Sequence, residues 1–247
     1  MGNLKVIVTE SYDAMSAKAA EIMAAEIMAK PRGCFGFATG STPVGMYAAL
    51  TMLHQAGKVD FSQITTFNLD EYYPMSKDSP LSYHTFMKEN LFNNVNMDFA
   101  RVFLPDGETD NPEAECAAYE AKIQSSGGID MQLLGIGVNG HIGFNEPEDH
   151  FSKGTAVVTL AKSTMDVNTG KMETEGELPP QALTMGIQTI MMARKILLIA
   201  NGGAKADIVK AFIYGDITPQ VPASVLQLHR DVTVVLDQEA AARLALA

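Results

Sequence analysis

The chain has 247 residues, 47% of them apolar and 19% charged, which suits one large α/β core and excludes a disordered or low-complexity protein. Its formal charge of −11 speaks against a nucleic-acid phosphate backbone as partner, because such binding rests on clustered Lys and Arg. The same field means that an anionic small substrate needs a local positive site. Cys34 and Cys116 are the only cysteines and have no metal-like spacing; they fit a reducing compartment and read as small buried hydrophobes. No targeting segment and no apolar run of bilayer length is visible, so a cytoplasmic location without a membrane partner is expected.

Leu4–Val8 reads as a first strand. Ser11 follows as the N-cap of a helix that covers SAKAAEIMAAEIMAK and stops before Pro31. Cys34–Ala38 is a second strand, and it runs into ATGSTPVGMYAAL: strand, Gly/Ser/Thr turn, then a helix from near Pro43. The N–H groups of such a turn, with Gly40 and the hydroxyls of Thr39, Ser41 and Thr42, make a phosphate cradle at a helix N-terminus. The turn matches neither a P-loop nor GxGxxG, so no nucleotide is implied, and an ordinary capped turn is the alternative. Ile64–Leu69 is the next strand and ends in Asp70-Glu71-Tyr72-Tyr73. A carboxylate at a strand end, partly desolvated by aromatics, is where a general base sits; a solvated turn pair is the alternative. Helical patterns at Tyr83–Phe92 and Pro112–Gln124 flank a short strand at Arg101–Leu104, with Asp106 and Asp110 as loop and cap residues.

The stretch that organises the chain is IDMQLLGIGVNGHIGFNEP, Ile129–Pro147. A buried-strand pattern over Met131–Ile136 breaks into glycines and delivers Asn139, His141, Asn145 and Glu146 within a few residues. His exchanges a proton near neutral pH and Glu relays one. Ala156–Leu160 reads as a strand, and the polar, acidic region after it, 161–180, as a mobile lid. A helix is expected over Ala182–Met192 and a strand over Lys195–Ala200. A second Gly-rich turn, NGGAKADIV, then carries Lys205, which is either the local positive charge or a surface lysine. Val232–Leu236 is the last strand, with a short Ala-rich terminal helix after it. His54, His84, His150 and His229 lack metal-ligand spacing and read as surface or packing residues. No repeat or boundary interrupts the pattern, so a single domain over 1–247 is expected.

Alternating strands and helices predict a mainly parallel sheet with helices on both faces. In such a sheet the strand C-termini share one edge, which would gather the loops at Gly40, Asp70, His141 and Lys205. Phosphate cradle, carboxylate and His/Glu pair together describe proton transfer on a small phosphorylated metabolite.

The segments ATGSTP, FNLDEYY, LLGIGVNGHIGFNEP, QALTMGIQTIM and PASVLQLH resemble the glucosamine-6-phosphate deaminase (isomerase) family, along nearly the whole chain. The resemblance implies a modified Rossmann-like α/β fold. It implies conversion of glucosamine 6-phosphate to fructose 6-phosphate and ammonia, in amino-sugar catabolism, with no metal or organic cofactor. Carried over by position, Asp70 moves the proton between C2 and C1 of the opened sugar, His141 opens the pyranose ring, and Glu146 assists His141. Thr39, Gly40, Ser41, Thr42 and Lys205 match the phosphate-holding positions. The family includes monomers and hexamers, so oligomeric state stays open, and the short C-terminal end leans toward the smaller assemblies.

Three departures from the family pattern follow. Asn139 stands where the best-known members have Asp; it is expected to orient the imidazole through its side-chain carbonyl. A phosphate-contacting Arg is replaced near Gly170, with Lys171 beside it as a point charge. A longer C-terminal part and the basic residues of an allosteric site around Phe151–Thr159 are missing, so no activation by N-acetylglucosamine 6-phosphate is expected. The rival readings are the same reaction on galactosamine 6-phosphate, a sugar-lactone hydrolase and a non-catalytic sugar-phosphate sensor.

Overall fold

In the computed structural model of the chain, residues 4–160 and 178–245 are described. Seven strands form one all-parallel sheet: β1 (Leu4–Thr9), β2 (Cys34–Phe37), β3 (Thr65–Asn68), β5 (Val102–Phe103), β6 (Met131–Leu134), β9 (Lys195–Ala200) and β10 (Val232–Asp237). Their spatial order is β1-β10-β9-β6-β2-β3-β5. The central strands are short apolar runs such as CFGF and KILLIA, buried on both faces, which is the composition a helix-covered parallel sheet requires.

Between the strands lie the helices α1 (Tyr12–Ala29), α2 (Val44–Gln55), α3 (Tyr83–Asn90), α4 (Pro112–Ser125), α5 (Ile187–Met191) and α6 (Ala206–Tyr214). In α1 the Ser11 hydroxyl accepts the Ala14 N–H at 3.2 Å, and Met15, Ala19, Met23 and Ile27 form the buried stripe. The register pairs Phe37 with Asn68, so Phe37 and Phe67 point to opposite faces. Phe37 meets Tyr47 of α2 while Phe67 meets Tyr119 of α4, which places helices on both faces as the sequence predicts.

A second sheet was not foreseen. Asp70–Tyr73 is itself a strand, β4, which pairs antiparallel with β8 (Gln181–Thr184), and β8 pairs antiparallel with β7 (Ala156–Thr159). The chain leaves the parallel sheet at Leu69, whose N–H bonds Phe37 O and whose carbonyl accepts Met185 N–H, and enters the small sheet one residue later. The helix expected over Ala182–Met192 is therefore a strand followed by the short α5. Extended Gly186 separates the two, and a Cβ there would lie 2.1 Å from Lys153 O, so the site admits only glycine. Beside the small sheet a satellite core gathers Tyr72, Met75, Phe144, Leu160, Leu178 and Ala182.

Two further corrections are local. The cap of α4 is Asn111, whose Oδ1 accepts the Ala114 N–H at 3.1 Å, and not Asp110. The Ala-rich end makes turns instead of a helix. Asp237 accepts both Ala240 N–H and Gly202 N–H, which ties this end to the loop after β9. Cys34 and Cys116 are buried free thiols, as expected. Among the described residues no helix is long and apolar enough to cross a membrane.

Candidate active site

From β2 the chain builds outward through β3 and β5, then returns to the other side of β2 and builds outward through β6, β9 and β10. The direction reverses between β2 and β6, which are hydrogen-bonded neighbours. Loops leaving their C-terminal ends diverge there, and the crevice between them is the place where such sheets bind ligands. The turn 39–42, Asp70, the loop 135–139, His141 and Lys205 all line this one crevice.

The wall after β2 is the turn Thr39–Thr42. Gly40 has φ +98°, a left-handed conformation that a side chain would strain. Tyr12 of α1 holds the turn from below: its hydroxyl donates toward the Ser41 and Thr42 carbonyls and accepts the Gly45 N–H at 2.8 Å. The Thr42 hydroxyl donates to Asn201 Oδ1 at 2.8 Å, linking this turn to the loop after β9. α2 and α6 start just after Pro43 and Lys205, which line the crevice, so the positive ends of both helix dipoles lie beside it. Lys205 lies at the start of α6, and its Nζ donates to Ile136 O at 2.6 Å, so the amine reaches across to the loop after β6. The local positive site that the acidic whole requires is thus present.

The opposite wall is Asp70, which is 5% exposed. Burial pushes its carboxyl up to about 8, and the neighbouring Glu71 charge adds to the shift. Glu71, on the other face of β4, accepts the N–H groups of Tyr72 (2.9 Å), Tyr83 (2.9 Å) and His84 (3.0 Å), so it caps the start of α3. Burial raises Glu71 to about 7 while these three donors pull it down. Gly143 packs close against Asp70: a Cβ there would lie 3.5 Å from Asp70 Oδ2.

The floor is the loop after β6. His141 is seated over Gly137, where a Cβ would fall 2.3 Å from the ring Cε1, so the imidazole occupies space that only glycine leaves. Glu146 Oε2 lies 3.5 Å from His141 Nδ1. Asn139 does not bond the imidazole. Its Oδ1 accepts the His141 backbone N–H at 3.2 Å and its Nδ2 donates to Glu146 Oε2 at 2.5 Å, so it holds the loop and the carboxylate instead of the ring. Asn145 is spent on structure: its Nδ2 donates to Ile142 O and Met185 O, which clamps the loop to the small sheet.

Lys171 and all but the last three residues of the lid expected at 161–180 lie outside the described residues. Among the described residues no group of three or more His, Cys, Asp or Glu is placed to hold a metal ion. Sequence reasoning missed Tyr83 and Phe144, which also line the crevice, and the helix-capping duty of Glu71. The FNLDEYY run carried no sign that its two acids face opposite ways; only the alternation of a strand shows it.

The family model described as glucosamine-6-phosphate isomerases/6-phosphogluconolactonase matches residues 9–235. The chain belongs to this family. A Clostridium botulinum protein named glucosamine-6-phosphate deaminase is 49% identical over 241 residues, 98% of this chain and 99% of that one. One of the same name from Alkaliphilus oremlandii is 51% identical over 237 residues, 96% of this chain and 98% of that one. Among solved structures, a monomeric glucosamine-6-phosphate deaminase superposes with TM-score 0.94 at 46% identity and covers 97% of this chain and 100% of its own. A Trypanosoma cruzi 6-phosphogluconolactonase, at TM-score 0.77 and 21% identity over 100% of this chain and 99% of its own, shares the fold.

Proposed function

We propose that the chain is a glucosamine-6-phosphate deaminase that works as a single domain, isomerising the amino sugar and releasing ammonia and fructose 6-phosphate. The observation that supports this most is convergence. An anion cradle, a buried carboxylate of raised basicity and His141 meet in one crevice at the reversal of the sheet, with Glu146 3.5 Å from the imidazole. The substrate phosphate lies on the turn Thr39–Thr42 with Lys205 as its counter-charge. The far end of the sugar then lies between Asp70 and His141.

His141 takes the O1 proton and returns a proton to the ring oxygen, which opens the pyranose. Glu146, held by Asn139, stabilises the imidazolium during this exchange. Asp70 removes the C2 proton of the opened sugar and delivers it to C1. An acid held at about 8 is basic enough to take a carbon-bound proton and acidic enough to give it back near neutral pH. Hydrolysis of the resulting C2 imine releases ammonia and leaves the ketose. Lys171 remains a candidate for a second phosphate contact.

The test is ammonia release by the purified protein with glucosamine 6-phosphate, and with galactosamine 6-phosphate in parallel. Turnover of the gluco sugar supports the reading; silence on both sugars sinks it. A lactonase has no use for a base over C2, so Asp70→Asn with unaltered lactone hydrolysis would favour that rival.

A further inference from the structure

Tyr83 is the crevice residue to which the reaction assigns no task. It is the first residue of α3, and its backbone N–H is fixed on Glu71, the neighbour of the base. Its ring is held on two sides: it stacks on Phe144 with centroids 6.0 Å apart and planes 12° apart, and it leans on Tyr72 at 4.8 Å. Such a ring has no second rotamer to adopt without breaking the satellite core. Its hydroxyl donates to the Tyr72 hydroxyl at 3.1 Å and is hydrogen-bonded by the Thr39 side chain.

A phenolic oxygen donates once and accepts at two lone pairs. Here the proton is given to Tyr72 and one lone pair is met by Thr39, so one acceptor position remains, on a residue that lines the crevice. Burial first, and then the nearby Tyr72 and Asp70, hold the hydroxyl well above its ordinary range, so it stays protonated and neutral at any working pH. The neighbours of Tyr83 thus include Thr39 of the phosphate turn and Asp70, and all three line the same crevice.

On the deaminase reading, Thr39 belongs to the turn that takes the substrate's C6 phosphate, and Asp70 faces its C2 carbon. C4 lies midway between them in the chain of the sugar. We propose that Tyr83 is a specificity-determining residue that accepts a hydrogen bond from the C4 hydroxyl and so distinguishes the gluco from the galacto configuration. The inference rests on the deaminase reading and adds to it the hydroxyl that is read and the residue that reads it.

The experiment measures kcat/KM for ammonia release by wild type and Tyr83→Phe on glucosamine 6-phosphate, galactosamine 6-phosphate and 4-deoxyglucosamine 6-phosphate. Wild type is expected to prefer the gluco sugar to both others. In Tyr83→Phe, kcat/KM for the gluco sugar should fall about ten- to hundred-fold, the loss of one hydrogen bond into a desolvated site. The other two sugars should change little, so the three values converge. An equal fall on all three sugars, or no fall, would overturn the assignment. If Tyr83→Phe does not fold, wild type decides alone: equal turnover of the 4-deoxy and gluco sugars overturns it, and selective loss on the 4-deoxy sugar sustains it. Wild-type silence on every sugar strikes the deaminase reading itself, a separate result from turnover without discrimination.

Discussion

The two faces of β4 carry neighbouring carboxylates with opposite fates. Glu71 is 2% exposed and meets three backbone N–H groups, so its charge is used up in holding a helix start. Asp70 is 5% exposed, and among the described residues no group donates a hydrogen bond to it. Burial without donors is expensive for an ion, and the cost appears as a raised affinity for a proton. One carboxylate stabilises the fold; the other is kept reactive at the fold's expense. Burial does most to raise Asp70; Glu71 anchors the strand, and its charge adds to the rise.

That contrast is broken most directly at Asp70. Asp70→Asn is expected to lower ammonia release by about a thousandfold or more, as loss of a positioned general base does, while a denaturant titration shows stability held or increased. The pH dependence sharpens the same point. Asp70 binds its proton more tightly folded (about 8) than unfolded (near 3.9), so its ionisation costs nothing at acid pH and destabilises the fold as pH rises toward 8. Wild-type stability should therefore decline across that window, and the decline should be weaker in Asp70→Asn.

Glu71→Gln reverses the pattern. An amide presents one acceptor oxygen to three donors, so a loss of about 2–4 kcal/mol is expected in denaturant melts. Removing the negative neighbour also moves the acidic limb of kcat/KM to lower pH. A smaller effect is expected at the floor of the crevice. Gly137→Ala places a methyl against the His141 ring and should cost about a hundredfold in kcat/KM with little change in melting. The smallest is Asn139→Asp. It puts a second carboxylate at the position that now donates to Glu146, so the pair shares a proton, and the pH profile should acquire a new limb below neutrality.

The parallel sheet was legible in the sequence because its strands are apolar runs: Cys34–Phe37, Met131–Leu134 and Lys195–Ala200 each fall within one or two residues of expectation. The convergence of Gly40, Asp70, His141 and Lys205 followed from the same topology. The small sheet was not legible. DEYY is too short and too acidic to announce a strand, and its partner QALT lies more than a hundred residues away, continuous with an apolar pattern that reads as helix. Pairing across that distance is decided by tertiary packing, which overrides local propensity. Asn139 was misassigned for a related reason. Spacing places it two residues from His141 but does not show that Glu146 folds back to take its amide. Tyr83 was hidden because its place in the crevice depends on Glu71 fixing the first turn of α3.

If Asp70 is the base and Glu71 only holds the start of α3, ammonia release from glucosamine 6-phosphate by folded Asp70→Asn, set beside wild type, will show it. The variant should melt no earlier than wild type and release ammonia at least a thousandfold more slowly. Release within tenfold of wild type would mean that the proton transfer lies elsewhere.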